Sequence, residues 1–333
     1  MTAGNQKFIS DGILHPFITP FAKYLDIKFS IDNRELMNSE RSFLGWGWWG
    51  GANGKNERIF NHRKTNNLPL FCMERGALSR SLIFDPGGFN YHSRSYDRAN
   101  WDKDLGEQEI AKTKKYIEDF KISDHSLEQQ KSGISKINPF EKIIKSNKKI
   151  NKIIFIPLQL HDDTVIKNFA GWSKNLRSFI SDITELSRDN EDILFIYKNH
   201  PLGKYLSIET ENLRCGDNIH FKDCIKYSDA IITINSGVGL QAMLYSKPVF
   251  LCGDAFYEFE EINVKTKSLK DLHHQIRNDY RPNEQLIFKF LSWLTNNFYS
   301  DVEWYSIPNQ NASVLRGVNK VNIWTKEKTY VYK

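Results

Sequence analysis

The stretch Ile193–Pro201, with the sequence ILFIYKNHP, decides the fold class of this 333-residue chain. Its first five residues form an apolar run of strand length, and a polar turn with a proline follows directly. Segments with helical spacing, such as residues 172–187, separate this run from similar ones. Those runs, each predicted as a strand, are Ile153–Leu158, Ile219–Phe221, Ala230–Ile234 and Val249–Leu251. The alternation predicts a parallel sheet with right-handed crossovers between about residues 150 and 264.

The sequence before this region predicts a second α/β domain. Its apolar pieces, among them Leu68–Met73 and Ser81–Asp85, are separated by loops rich in asparagine, glycine and arginine. Helices are predicted over residues 107–120 and, near the end of the chain, over 284–298. We therefore expect an N-terminal domain over residues 1–148, a Rossmann-like domain over 149–282, and C-terminal helices and a tail over 283–333 that pack back on the first domain.

Composition and charge exclude several classes of protein. The four cysteines form no C-x-x-C pair and no His cluster has metal-ligand spacing, which argues against a disulfide framework or a zinc site. No apolar run approaches the ~20 residues that span a bilayer, and the polar first eleven residues lack the apolar core of a signal peptide. We therefore expect a cytoplasmic protein. The net charge of +6 suits acidic ligands or work beside an anionic membrane face, whereas the scattered Lys and Arg residues argue against nucleic acid.

Two strand-end loops of the predicted parallel sheet carry candidate anion ligands. Ser236 follows one strand and opens a helix, so it either caps that helix or donates its hydroxyl to a phosphate oxygen, and Gly237 allows close approach. His200 follows another strand, where Pro201 fixes the backbone and Lys198 adds positive charge. Because ligands of parallel sheets bind beyond the carboxyl ends of the strands, we expect both loops to converge on one anion.

A third strand-end loop, Gln159–Thr164, contains two adjacent carboxylates, Asp162 and Asp163. One of them could attack an anomeric carbon or act as a base, and the alternative is that either caps the following helix. The N-terminal half offers Glu74 at the end of an apolar run, followed by Arg75 and Arg80. Glu74 fits a general acid/base, a ligand of sugar hydroxyls, or a buried ion pair with one of these arginines.

These motifs resemble those of bacterial retaining β-Kdo glycosyltransferases of capsule polysaccharide and O-antigen biosynthesis, which use CMP-Kdo (Kdo is 3-deoxy-D-manno-oct-2-ulosonic acid). The resemblance covers roughly residues 40–260. It departs from the family at Gly253–Glu258, where the usual aromatic-glycine element is replaced by GDAFYE. The matching stretches are Gly45-Trp46-Gly47, Phe71–Arg80 (FCMERGALSR), Asp85–Tyr91 (DPGGFNY), Pro157–Thr164 (PLQLHDDT), Tyr197–Pro201 (YKNHP) and Asn235–Ala242 (NSGVGLQA).

The resemblance implies a GT-B-like fold, in which two Rossmann-type domains with parallel sheets face an interdomain cleft. The N-terminal domain would take the acceptor and the second domain the CMP-sugar. The implied reaction transfers Kdo from CMP-Kdo to a polysaccharide or glycolipid acceptor with retained configuration. The implied location is the cytoplasm, with peripheral attachment to the inner membrane. No metal or other cofactor is expected.

The resemblance also implies roles for single residues. Asp163 matches the nucleophile of a double displacement, with Asp162 as second choice, and Glu74 matches an acid/base for the acceptor. The remaining matches are ligands. His200 and Ser236 match the ligands of the CMP phosphate, supported by Lys198, Pro201 and Gly237, while Arg75, Arg80 and Gln159 are expected to bind the sugar.

Two alternatives stay open at this point. One is an inverting transferase of the CMP-sialic-acid type, with Asp163 or Glu74 as base. The other is a non-catalytic, nucleotide-binding partner in polysaccharide assembly. The anomeric configuration of the product separates the first alternative from the retaining reaction, and CMP binding without turnover would identify the second.

Overall fold

The computed structural model describes residues 7–12, 18–46, 55–124, 132–208, 210–306 and 313–333. The chain forms two compact units. Unit 1 consists of Met1–Thr113 and Lys289–Lys333, and unit 2 of Lys114–Phe288. Trp48 and Trp49, which belong to the glycine-rich stretch around Trp46, lie outside the described residues.

The N-terminal part of unit 1 builds a mixed sheet. Four strands, β1 (Lys7–Asp11), β2 (Asp26–Ser30), β3 (Ser42–Trp46) and β4 (Leu70–Arg75), pair in parallel in the order β2-β1-β3-β4. The fifth, β5 (Ser81–Asp85), runs antiparallel to β4 after a short turn. The helices of this part are α1 (Asn33–Asn38), α2 (Lys55–Thr65), α3 (Arg98–Trp101) and α4 (Glu107–Ile122), the last of which continues into unit 2.

Unit 2 contains a fully parallel six-stranded sheet in the order β11-β10-β9-β6-β7-β8. The chain moves from β6 to β8 toward one edge, then returns to the other side of β6 and continues to β11. This is the strand order of doubly wound nucleotide-binding domains, and the direction reverses between β6 and β9. The strands are β6 (Lys152–Pro157), β7 (Ile193–Lys198), β8 (Leu213–Cys215), β9 (Ala230–Thr233), β10 (Val249–Leu251) and β11 (Val264–Lys265).

The helices of unit 2 cover this sheet with apolar faces. In α7, for example, Leu176, Phe179, Ile183 and Leu186 recur at helical spacing and join the same buried core as the sheet residues. Asn175 begins that helix by accepting a hydrogen bond from the Ser178 backbone N–H at 2.9 Å. The helices are α5 (Glu141–Ser146), α6 (Thr164–Phe169), α7 (Leu176–Arg188), α8 (Phe221–Tyr227), α9 (Gly237–Met243) and α10 (Leu269–Arg277).

One predicted strand of unit 2 is wrong. Residues 219–221 precede and begin α8, and the third strand of this sheet is the shorter β8. The physical reason is local capping, since the His220 ring accepts a hydrogen bond from the Lys222 backbone N–H at 3.2 Å. Phe221 and Ile225, one helical turn apart, are both buried.

The predicted domain boundary at residue 148 falls inside unit 2, because α8 holds the preceding segment. The Lys222 ammonium donates to the carbonyls of Phe120 and Ser123 at 2.6 and 2.7 Å. The Asp223 carboxylate accepts from the Ser135 backbone N–H at 2.7 Å. These bonds fasten the end of α4 and the residues after it to unit 2.

The C-terminal segment returns to unit 1 as strands. The predicted helix over residues 284–298 is present as α11 (Glu284–Trp293) and a π-helical turn, Leu294–Phe298. Beyond it, where the sequence predicted only a tail, three antiparallel strands follow, and the first of them, β12 (Tyr299–Ser306), pairs with β5. Their inward side chains, including Val302, Val321 and Ile323, complete the core around Phe84. The full order is β14-β13-β12-β5-β4-β3-β1-β2, with β12 (Tyr299–Ser306), β13 (Ser313–Trp324) and β14 (Thr329–Tyr332).

Within the described residues, every helix is too short or too polar to traverse a lipid bilayer. The predicted fold class, α/β with two Rossmann-like sheet domains of GT-B type, is confirmed. The expectation of parallel strands holds for unit 2 but not for all of unit 1, whose sheet also contains antiparallel pairs.

Candidate functional site

The candidate site of unit 2 lies at the carboxyl ends of β9, β6 and β7, which are neighbours in the sheet. Because the strands are parallel, the loops that carry Ser236, Asp163 and His200 all leave the same edge. Neighbouring strands are about 4.8 Å apart, so the Ser236 and His200 loops start roughly 10 Å from one another, with the Asp163 loop between them. The structure thus brings the three predicted loops together at the point where the strand order reverses.

Ser236 caps α9 and still offers a proton. Its hydroxyl accepts a hydrogen bond from the Val238 backbone N–H at 3.2 Å. Since a hydroxyl accepts and donates at once, both alternatives for this residue are compatible with each other. The buried Tyr257 hydroxyl donates to the Ser236 carbonyl. Residue 239 is a glycine for steric reasons, because a Cβ atom at this position would lie 2.3 Å from the hydroxyl oxygen of Tyr257.

His200 is held in one tautomer by its own loop. Its Nδ1 accepts a hydrogen bond from the Leu202 backbone N–H at 3.2 Å, directly after Pro201. A nitrogen that accepts carries no proton, so the neutral ring bears its proton on Nε2. The turn closes where the Gly203 N–H donates to the His200 carbonyl at 2.9 Å. His200 therefore presents an N–H donor, as an anion ligand requires.

Lys198 is anchored inside unit 2. Its buried ammonium donates to the carbonyls of Gly216, Asp217 and Ile219 at 3.3, 2.9 and 2.8 Å. These three bonds fix the loop after β8, and the positive charge that Lys198 is predicted to add near the phosphate stays a prediction.

No role was predicted for Asn199, which lies in the predicted His200 loop, or for its partner Asp217. The Asp217 carboxylate accepts from the backbone and side-chain N–H groups of Asn199 at 2.8 and 3.0 Å. The partners come from the ends of β7 and β8, which no local sequence pattern joins. Together with Lys198 they make the base of the His200 loop rigid.

The two adjacent carboxylates after β6, those of Asp162 and Asp163, have different surroundings in the structure. Asp163 is half-buried and caps α6, where its Oδ1 accepts from the Val165 backbone N–H at 3.0 Å. Burial raises the pKa of Asp163 above that of an ordinary aspartate, the Val165 hydrogen bond opposes this rise, and the charge of Asp162 adds to it. Asp162 itself is exposed, with its carboxylate 3.7 Å from His161 Nδ1. Asp163 is therefore the carboxylate that the fold positions.

Gln159, predicted as a sugar ligand, is engaged inside the protein in this structure. Its amide nitrogen donates to Asn235 Oδ1 at 2.9 Å, and its amide oxygen accepts from the Asn235 backbone N–H at 3.3 Å. Both side chains are buried. Asn235, which lies in the predicted Ser236 motif but was given no role of its own, also donates to the carbonyls of Val165 and Phe169 in α6 at 3.2 and 2.9 Å. These bonds connect the Ser236 loop with the Asp163 helix.

The candidate residues of unit 1 lie around the turn between β4 and β5. Glu74 is half-buried near the end of β4, opposite Ile83. The Arg75 guanidinium lies over the Trp304 ring, 5.1 Å from its centre. Arg80 adopts a left-handed backbone conformation with a φ of 60°. Its guanidinium lies 3.5 Å from carboxylate oxygens of both Asp301 and Glu303 in β12, and its predicted role as a sugar ligand stays a prediction.

The DPGG stretch forms the predicted turn and buries the carboxylate of Asp85. Its Oδ1 accepts from the Gly87 backbone N–H at 2.8 Å and from the hydroxyls of Ser93 and Ser95 at 2.8 and 2.6 Å. Burial raises the pKa of Asp85 to about 6, although these hydrogen bonds lower it. The residue thus organises the loop after β5.

All four cysteines are free thiols, and in the described ranges no three His, Cys, Asp or Glu side chains are grouped so that they could hold a metal ion.

Comparison with solved structures identifies the same fold in two glycosyltransferases. The KpsC β-Kdo 2,7 transferase of Thermosulfurimonas dismutans superposes with a TM-score of 0.59 over 93% of this chain and 95% of that protein, at 16% identity. The KpsC β-Kdo 2,4 transferase of the same organism gives a TM-score of 0.59 over 86% and 90%, at 15% identity.

Two curated proteins are related in sequence over part of the chain. Protein FixF of Sinorhizobium fredii (strain NBRC 101917 / NGR234) is 23% identical over 165 residues, which are 48% of this chain and 41% of that protein. The capsule polysaccharide export protein KpsS of Escherichia coli is 24% identical over 152 residues, 41% of this chain and 38% of that protein. The chain thus matches about two fifths of the length of each relative.

A family model named "Capsule polysaccharide biosynthesis protein" matches residues 108–299, which is more than half of the chain and includes the whole candidate site of unit 2. The chain therefore belongs to the capsule polysaccharide biosynthesis protein family.

Proposed function

We propose that the protein is a glycosyltransferase that transfers Kdo from CMP-Kdo to a polysaccharide or glycolipid acceptor and retains the anomeric configuration. Membership of the capsule family and the fold shared with the KpsC β-Kdo transferases support this function. The observation that carries the proposal is the common edge of unit 2, where a carboxylate, an imidazole N–H and a hydroxyl follow adjacent parallel strands. The net charge of +6 suits a reaction at the cytoplasmic face of the inner membrane.

In this proposal His200 and Ser236 bind the phosphate of CMP. The Nε2–H of His200 and the hydroxyl proton of Ser236 donate to phosphate oxygens. CMP leaves as an anion, so the transition state needs hydrogen-bond donors at the phosphate more than it needs a proton. The Leu202 N–H fixes the His200 ring, and the cap contact with Val238 fixes the Ser236 hydroxyl. Donors that are held in place before the reaction stabilise the developing charge without reorganising.

Asp163 supplies the nucleophile in the proposed reaction. Its carboxylate forms a bond to the anomeric carbon while the bond to the phosphate oxygen breaks, and the electron pair leaves with CMP. An acceptor hydroxyl then attacks the glycosyl-enzyme, gives its proton to a general base and displaces Asp163. Two inversions at the same carbon give net retention, as in retaining glycosidases.

The test is transfer from CMP-Kdo by the wild-type protein and by Asp163→Ala. We expect the variant to lose transfer by roughly a thousandfold or more, as is typical when a nucleophile is removed. Asp32→Ala is the matched control, because Asp32 also caps a helix, accepting from Arg34 N–H at 2.8 Å, and it belongs to α1 in unit 1. It should lose only the stability of a helix cap, about 1 kcal/mol.

Unchanged transfer by Asp163→Ala would reject the nucleophile. The anomeric configuration of the product, determined by NMR, decides between this reaction and an inverting one of the CMP-sialic-acid type. CMP binding with no turnover on a panel of acceptors would support a non-catalytic partner in polysaccharide assembly.

A further inference from the structure

We infer that Asn235 is a positioning residue that sets the Asp163 carboxylate against the Ser236 loop, and that Gln159 holds Asn235 in the required orientation. This inference rests on the proposed function, because it assigns roles to residues around the same site. Neither amide contacts the donor in this account. They act through the backbone of α6.

Asn235 uses its whole hydrogen-bonding capacity at the junction of two strands. It directly precedes Ser236 and is 6% exposed. Its two amide protons go to the carbonyls of Val165 and Phe169, at 3.2 and 2.9 Å. Its amide oxygen and backbone N–H are both paired with Gln159, at 2.9 and 3.3 Å. A side-chain amide with three such contacts has one orientation, since turning it would leave buried donors facing donors.

The bonds from Asn235 lead directly to the proposed nucleophile. Val165 accepts from Asn235 through its carbonyl and donates to Asp163 Oδ1 through its N–H, at 3.0 Å. Asp163 and Asn235 are thus linked through a single residue. A six-residue helix such as α6 has little stability of its own. Its position on the sheet depends on the packing of Ile166 and Phe169 and on these hydrogen bonds.

The reaction is sensitive to the link between Asn235 and Asp163, because Asp163 and Ser236 lie in loops that follow different strands. Nucleophile and leaving group must meet the anomeric carbon from opposite sides, with reacting atoms about 3–3.5 Å apart. A displacement of 1 Å in such a geometry can lower the rate about a hundredfold. Binding of CMP is less sensitive, since the hydroxyl of Ser236 and the ring of His200 are fixed by their own loops.

Asn235→Asp is the decisive variant. It keeps the size of the side chain and the oxygen that accepts from Gln159, but it turns a carboxylate oxygen toward the Val165 and Phe169 carbonyls. We expect kcat to fall about a hundredfold while the Kd for CMP changes by less than about threefold. Hydrogen exchange of the amides in residues 164–169 should become faster, and exchange in α9 should not.

Asn212→Asp is the matched control. Asn212 is a buried asparagine whose amide also donates to backbone carbonyls, those of Ser187, Asn190 and Ile193, at 2.8, 2.7 and 2.8 Å. It directly precedes β8, at the opposite end of the sheet from the candidate site. The same substitution there should lower the melting temperature without changing kcat of the folded protein.

The results separate this inference from the proposed function. If Asn235→Asp, like Asn212→Asp, lowers the melting temperature and leaves kcat of the folded protein unchanged, Asn235 is only structural. If the wild-type protein transfers no Kdo, the proposed function fails, and the exchange measurement still decides whether Asn235 holds α6. Should Asn235→Asp not fold, Gln159→Leu provides the second variant, with the same pattern of changes expected, and unaltered kcat in that variant would overturn the inference.

Discussion

The buried carboxylate of Asp85 predicts how the stability of the protein depends on pH. Its folded-state pKa of about 6 is above the ordinary 3.8, so its contribution to stability is complete below that ordinary value and is lost as the pH rises through 6. Asparagine can accept the same three hydrogen bonds and does not ionise. Asp85→Asn should therefore gain up to about 3 kcal/mol in the free energy of unfolding, relative to wild type, between pH 4 and pH 8.

Urea unfolding followed by tryptophan fluorescence measures this difference, because every tryptophan except Trp172 belongs to unit 1. Asp301→Asn serves as control, since Asp301 is partly exposed and pairs with Arg80 at the surface. Wild-type and Asp85→Asn stabilities that stay parallel across this pH range would contradict the prediction.

At the same scale, the sequence identifies the polar residues of the site better than it identifies their partners. Ser236 and His200 are recognisable because each follows a strand and adjoins a glycine or a proline. Lys198 and Gln159 look equally available in the sequence, yet their partners come from β8 and β9, distant in the chain. Burial and tertiary hydrogen bonds decide such roles, and no local spacing encodes them.

At the scale of elements, the loop after β8 depends on the ammonium of Lys198. Lys198→Met keeps most of the aliphatic chain and leaves three carbonyls without their donor, so we expect a loss of roughly 2 kcal/mol in stability. CMP affinity of the folded variant should change by less than about tenfold, that is, by less than 1.4 kcal/mol. A larger loss of CMP affinity with unchanged stability would show that Lys198 supports the binding of the CMP phosphate directly. Lys204→Met, at an exposed position near His200, controls for the lost charge.

Strands with continuous apolar sequence, including the three-residue β10, were predictable, and strands without such a run were not. β6 and β7 are buried on both faces, and their isoleucine-rich sequences show this directly. β8 has three residues with an arginine in the middle, too little for a periodic signal. The strands β12 and β13 contain register shifts, which interrupt the alternation that would have identified them.

At the scale of the whole molecule, the resemblance found in the sequence is confirmed as membership of the capsule family and as a shared fold. Unit 2 has its own core and contains Asp163, His200 and Ser236. We therefore predict that a fragment of residues 107–288 folds cooperatively and binds CMP as the full chain does. Circular dichroism during thermal unfolding and calorimetric titration with CMP check this.

Residues 1–113 provide the comparison for that fragment. They lack β12, which pairs with β5, and they lack the valine and isoleucine side chains that close the core of unit 1. This fragment is expected to remain unfolded or to aggregate. A soluble, cooperatively folding 1–113 fragment would show that the C-terminal strands are dispensable.

The pairing of β5 with β12 has a consequence for synthesis on the ribosome. Strand β5 is translated long before its neighbour β12, and unit 2, whose residues are continuous in the chain, can close its core in between. Until β12 has been translated, the nascent strands β1 to β5 therefore expose an open, apolar sheet margin. Fast overexpression should send this part of the chain into inclusion bodies, and slower translation or a holding chaperone should rescue it.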